Sequence, residues 1–201
     1  MSTVLAPRSR TYLADVLRHS KVVDVVLVLS GTAFIVLAAL VTIPLPFTPV
    51  PITMSTFAVM ATGAVLGSAR GALSAALYLV IGAAGAPVFS AGHSGVAFPT
   101  FGYIVGFVVA ALIVGQLARL RADRHVGTTL LLGAVGSVVI YAFGVPWLAV
   151  ALGVDLGQAI LLGVVPFLIG DTVKIFVLSA ILPTAWRAVS TLSSSDADAD
   201  R

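Results

Sequence analysis

WLAVALGVDLGQAILLGVVPFLIG, residues 147–170, decides the helix count of this chain. It is long and apolar enough to be taken for a single spanning helix. Pro166 and Gly170 interrupt it, because an interior proline lacks the N–H that the helix ladder needs and clashes with the preceding turn. The expected arrangement is a short outer helix, then a last long helix over about 168–185. Working outward, helices are expected over about 22–43, 53–68, 71–85, 100–119 and 127–149. PLPFTPVPIT (44–53) stops the first helix, and Arg70-Gly71 marks a tight turn between the second and third. RLRADRH (119–125) separates the fourth from the fifth.

The basic residues test this count. With six helices, Arg8, Arg10, Arg18 and Lys21 precede the first, and Arg70 lies between the second and third. Arg119, Arg121 and Arg124 lie between the fourth and fifth, and Arg187 and Arg201 follow the sixth. Ten of the eleven Lys and Arg residues then share one side, and the loops of the other side hold none. Five or seven helices destroy this alternation. Positive charge collects on the cytoplasmic side of membrane proteins, so both termini are expected in the cytoplasm. The expected fold is an all-α integral membrane protein with six transmembrane helices, in the plasma or inner membrane. Residues 1–20 are read as a cytoplasmic N-terminal lead, since they mix both charges and no cleavage site follows them. Residues 21–187 form the membrane domain, and 188–201, ending in SSSDADADR, a polar disordered tail.

Composition supports lipid as the principal solvent. The 201 residues are 59% hydrophobic and 9% charged, where a soluble domain has roughly 25% charged residues. Mean hydropathy is +1.13. Residues 25–69, 71–118 and 126–154 carry no charged side chain. There is no Cys and no Glu, which excludes disulfides, thiol chemistry and a Cys-type metal site. No metal or cofactor is expected. The pI near 9.7 does not point to nucleic acid, because the positive charge sits in short clusters between apolar runs. No HExxH, GxSxG or Walker A pattern occurs, so no familiar enzymatic template fits.

GDTVKIF (170–176) holds the eleventh basic residue, Lys174, three positions after Asp171. That spacing puts both on one helix face, with Asp171 in the first turn, where the helix dipole favours a carboxylate. A charge at membrane depth costs on the order of 3 kcal/mol, so two persist only if they pair or serve a polar cavity. Three roles are open: an ion pair locking the last helix, a binding site, or a proton relay. The relay has no second acid within a span, since Asp24 and Asp155 sit at helix ends.

Other polar stretches fall on the same expected outer side. Prolines stiffen PLPFTPVPIT, which ends in Thr53. APVFSAGHSGVAFPTFGY (86–103) offers Phe89, Phe98, Phe101 and Tyr103 as apolar walls, with His93 and Thr100 as polar groups. Trp147 is either an interfacial anchor or a ligand contact, and Tyr78 and Tyr141 are either packed residues or ligand contacts. Gly31 and Ala38, seven apart, and the GxxxG of Gly63 and Gly67 serve either close helix packing or a groove for a partner protein.

PLPFTPVPIT, GAAGAPVFSAGHSG, PTFGYIVGF, YAFGVPWL and PFLIGDTVK, in this order over about 25–185, resemble the BioY family. These are biotin-binding substrate (S) components of energy-coupling-factor transporters. The resemblance implies six helices and biotin bound near the outer face. It also implies a partner module of a transmembrane coupling protein and two ATPase subunits, with transport rather than enzymatic activity. Asp171 and Lys174 match the family's GDxxK motif, which implies hydrogen bonds to biotin, and Tyr103 matches the tyrosine of the PTGGY-like segment. Here Phe101-Gly102 stands for the usual two glycines, Ser55 stands where many members have Gln, and 86–103 holds no Asn or Arg. His93, Ser94 or a backbone N–H is left to meet the ligand's second polar end.

Overall fold

The computed structural model describes residues 11–17 and 20–199. Its helices are α1 (Lys21–Leu40), α2 (Ser55–Leu66), α3 (Ser68–Ala83), α4 (Phe101–Arg119), α5 (Val126–Leu152), α6 (Leu156–Gly163) and α7 (Leu168–Ala199). Consecutive long helices run antiparallel, so the bundle has two ends. One carries the 41–54 loop, the 84–100 loop and α6, and is called the loop end. The other carries the α2–α3 and α4–α5 turns, and is called the basic end.

The stretch 147–170 breaks in two places. α5 overruns the expected 149 to Leu152, with Pro146 inside it, and Gly153 closes it in the left-handed conformation at φ 67°. Asp155 then caps α6, its side chain accepting from Gln158 N–H. A 3-10 turn at Val165–Phe167, led by Pro166, joins α6 to α7. Short helix and long helix are therefore both present.

The expectation of a purely helical chain needs one correction. Thr42–Ile43 and Ile52–Thr53 form a two-stranded antiparallel ribbon, with Thr42 opposite Thr53 and Ile43 opposite Ile52. Ile43 and Val50 each precede a proline, which disfavours helix and favours extended backbone, so α1 stops at Leu40 rather than 43.

Four helical stretches are long and apolar enough to cross a membrane: Lys21–Leu40, Phe101–Arg119, Val126–Leu152 and Leu156–Thr191. α2 and α3 are shorter, about 18 and 24 Å at 1.5 Å per residue against a hydrocarbon core of about 30 Å. They fold back on each other through one residue, Gly67, at φ 89°. Close backbone contact follows: a Cβ on Gly63 would lie 2.6 Å from the Ala111 carbonyl oxygen of α4, and one on Gly71 would lie 2.7 Å from Gly63 Cα.

Gly31 and Ala38 are also interior. Both are buried on α1, and a Cβ on Gly31 would meet Ser74 Oγ of α3 at 2.5 Å. Thr32 Oγ1 donates across the same seam to Ser74 O at 3.0 Å. Gly31 and Ala38, read as either close packing or a partner groove, are thus buried in this structure. The exposed apolar face of α1 runs instead through Val22, Val26, Leu29, Leu37 and Leu40.

The basic end is held by charge. Arg70 reaches Asp24 at 2.7 Å and Asp15 at 3.3 Å, drawing 11–17 of the expected lead onto the bundle, where Tyr12 packs against Gly67. Arg124 stacks on Trp186 at 4.0 Å, and Trp186 Nε1–H donates to buried Asp123. Arg8, Arg10, Arg18 and Arg201 lie outside the described residues. α7 extends to Ala199, through most of the stretch read as a tail, since 184–199 has no Gly or Pro to end it.

Asp123 is fully buried, and its Oδ1 has no hydrogen-bond partner among the described residues. Burial raises its pKa above the ordinary carboxylate value, and the Trp186 hydrogen bond opposes the shift. The unfolded chain ionises at this position before the folded one does, so the group's cost to folding grows as pH rises from about 4. Asp123→Asn is expected to melt above the parent at pH 8, by a margin that shrinks as pH falls toward 4, by thermal unfolding in detergent. A lower melting temperature at pH 8 would mean that the ionised carboxylate stabilises the fold.

Candidate functional site

α7 begins at Leu168, so Asp171 sits in its first turn and Lys174 one turn further in. Both are buried, at 5% and 7% exposure. Lys174 Nζ lies 2.7 Å from Asp171 Oδ1. Lys174 Nζ also donates to Thr56 Oγ1 at 3.0 Å, and Thr56 Oγ1 faces Asp171 Oδ1 at 3.3 Å. Tyr141 on α5 donates its phenolic hydrogen to Asp171 Oδ2 at 2.5 Å. Three elements therefore converge on the pair: the start of α2, the middle of α5 and the start of α7.

The pair borders a cavity of about 550 Å³, counted out to its mouth, at the loop end. Its polar lining includes Thr53, Ser55, Thr56, Ser90, Thr100 and Tyr141 with Asp171 and Lys174, and its apolar walls include Val50, Pro51, Tyr78, Ile104, Phe107 and Phe167. Apolar walls with a few converging polar groups are the usual make-up of a small-molecule site.

Tyr103 also lines the cavity, but its hydroxyl donates to Gly163 O at the end of α6, 2.9 Å away. Its ring lies against Gly144 and its hydroxyl against Gly163, where any side chain would collide with it. It meets Tyr141 edge-on at 6.4 Å. α6 is also tied from the other side, where Thr48 Oγ1 donates to Leu162 O at 2.8 Å. Two C-terminal carbonyls of α6, which an isolated helix leaves unpaired, thus hold this short helix over the cavity.

Of the nine residues singled out for ligand contact, Asp171, Lys174, Tyr141, Tyr103, Thr53 and Thr100 line the cavity. The other three do not. Phe89 is fully buried, packed on Tyr78 at 5.2 Å and Phe98 at 5.6 Å. Trp147 packs on Phe101 at 5.3 Å and donates to Phe98 O at 3.0 Å. His93 is exposed and stacked on Phe98 at 5.2 Å. These three build the aromatic layer behind the wall. Phe107 and Phe167, which do form the wall, look in sequence like any helix phenylalanine. Thr56 was also missed, although a hydroxyl pair opening an apolar helix, Ser55-Thr56, is a readable sign.

Hydrogen-bonding capacity defines what the pair can hold. An ammonium has three donors, and Lys174 uses two. A carboxylate accepts about four hydrogen bonds, and Asp171 receives three, from Lys174, Thr56 and Tyr141. Among the described residues, one N–H of Lys174 and one lone pair of Asp171 Oδ2 are left without a partner. A neutral group with an N–H beside a C=O satisfies both and leaves the ion pair intact.

Residues 10–191 match the model of the BioY family. The chain belongs to the BioY family. It is 38% identical over 174 residues to the biotin transporter BioY of Rhizobium etli, covering 81% of this chain and 91% of that protein. It is 38% identical over 153 residues to the biotin transporter BioY of Thermotoga maritima, covering 75% and 88%. Its fold is similar to the crystal structure of the S-component for biotin from an ECF-type ABC transporter, with a TM-score of 0.74 and 24% identity over 83% of this chain and 92% of that one. Its helices long and apolar enough to cross a membrane fit a multi-pass membrane protein, and membership of this family makes it a transport component rather than an enzyme.

Breaking a buried pair by removing one partner costs about 3–5 kcal/mol, more than removing both. Lys174→Met is therefore expected to destabilise the protein more than the double variant Asp171→Asn/Lys174→Met, by thermal unfolding in detergent. Equal losses would show that Asp171 is neutralised by something other than Lys174.

Proposed function

We propose that this BioY-family chain binds biotin in the α2–α5–α7 cavity and mediates its uptake across the cell membrane. The observation that carries this reading is the residual capacity of the buried pair. The ureido ring of biotin presents an N–H beside a C=O on a neutral head. The N–H suits Asp171, the C=O suits the third hydrogen of Lys174, and the fused rings suit Tyr78, Phe107 and Phe167. The chemistry is binding alone, with no covalent step.

The rest of the reading comes from family membership and charge placement. α2 and α3, packed within protein, complete six spans with α1, α4, α5 and α7. The basic end, with both termini, faces the cytoplasm, so the loop end meets biotin from outside. Uptake is energised by a separate module of a coupling protein and two ATPase subunits, which meets the exposed apolar face of α1.

Equilibrium binding of labelled biotin to the purified protein is expected to be tight. Asp171→Asn is expected to weaken it about 10- to 100-fold, the scale of one charge-assisted hydrogen bond at about 1.5–3 kcal/mol. Unchanged affinity in a folded variant would remove Asp171 from the site. No binding by a well-folded parent, alongside retention of another vitamin, would replace the ligand and keep the transport reading.

A further inference from the structure

The cavity is uneven in charge. Asp171 and Lys174 neutralise each other at 2.7 Å and are the charged residues of its lining, which also includes Pro51, Thr53, Ser90 and Thr100, none of them ionisable. Arg70, Arg119, Arg121, Arg124 and Arg187 all belong to the basic end of the bundle. On the loop-end segments 41–54, 84–100 and 153–167, His93 is the one basic side chain. It stands outside the lining, exposed, with Nδ1 2.8 Å from Ser90 O. The start of α4, at Thr100, offers little in its place. Phe101 N–H is turned onto Phe98 O at 3.3 Å and Tyr103 N–H onto Thr100 O at 3.1 Å.

A ligand whose neutral head sits on the ion pair places its tail against this uncharged part of the lining. An ionised tail meets no cation among the described residues there. Burying it between apolar walls without a partner is heavily penalised, so it stays among hydroxyls and water. The hydroxyls of Thr53, Ser90 and Thr100 each donate to a carboxylate oxygen or to an amide oxygen, and each accepts from an amide N–H. The chemistry around the tail therefore does not distinguish a charged tail from a neutral one of the same shape.

We propose that this chain binds biotin whose tail carboxyl has been converted to an amide almost as well as free biotin, because no group in the cavity reads the charge of the tail. The chain's ligand class is then the biotin head with either tail, which includes biotin joined to a small amine. This inference rests on the biotin reading above.

The test is competition against labelled biotin on the full chain in detergent at pH 7.5. The competitors are unlabelled biotin and its primary amide, which is nearly the same size. Both are also run on His93→Ala. The expected result is inhibition constants within tenfold of each other, with His93→Ala changing neither by more than about twofold. A primary amide weaker than biotin by 100-fold or more would overturn this inference and leave biotin binding standing. So would a His93→Ala protein that loses free biotin by more than tenfold yet keeps the amide, because a cation would then be reading the tail. Failure of free biotin to bind a protein that elutes as a single species would overturn the function and this inference together.

Discussion

A carboxylate and an ammonium 2.7 Å apart, buried in the wall of an apolar bundle, place demands on every element around them. Neither charge is tolerable there alone, and pairing satisfies only part of their hydrogen-bonding capacity. The remainder has to come from hydroxyls delivered by other helices. Thr56 arrives because α2 starts at Ser55, directly after the ribbon strand Ile52–Thr53. Tyr141 arrives from the middle of α5, at a depth that matches the first turn of α7. The ribbon, the short α2 and the break before α7 together bring these hydroxyls to the pair.

Glycine placement meets the matching steric requirement. Tyr103 holds down α6 only because Gly144 and Gly163 leave room for its ring and hydroxyl. The α2–α4 contact at Gly63 and Ala111 brings backbones together, as small residues do where apolar surfaces have no hydrophobic drive between them in lipid. The same economy explains Gly31 and Ala38. Small residues mark a place where something comes close, and at Gly31 the neighbours are Ser74 of α3 and Thr62 and Leu66 of α2.

Much of the helical plan was legible because lipid leaves few choices. Long uncharged runs, prolines at their ends and basic clusters between them place the helices to within a few residues, except the end of α7, which runs on to Ala199. The ribbon at Thr42–Ile43 and Ile52–Thr53 was not legible, because its register depends on a loop returning across eight residues rather than on periodicity. The charged pair was legible because no other pair of charges lies inside a span. Its hydroxyl partners were less so, since Thr56 is one of many threonines until α7 is folded against it. The aromatic residues misled in the opposite direction. Phe89, His93 and Trp147 sit in the loop-rich, ligand-like stretches of sequence, but their rings are used to support one another. Aromatic residues of helix interiors, Tyr78 and Phe107, take the wall positions. Segment identity located the end of the bundle, and only the packing decided which rings face inward.

The surroundings sharpen what the pair can select. In water an unfilled donor and acceptor are served by solvent at little cost. Between apolar walls the same groups stay costly until something of matching geometry arrives. A purely apolar molecule of the right size fills the walls and leaves the last N–H of Lys174 and the last lone pair of Asp171 unserved. A carboxylate offers oxygen to Lys174 but adds a charge that Asp171 repels at close range. A neutral group carrying N–H and C=O on one edge serves both without changing the net charge of the cavity. On the proposed reading, selectivity for such a head comes from an ion pair that is almost, but not fully, satisfied by its own protein.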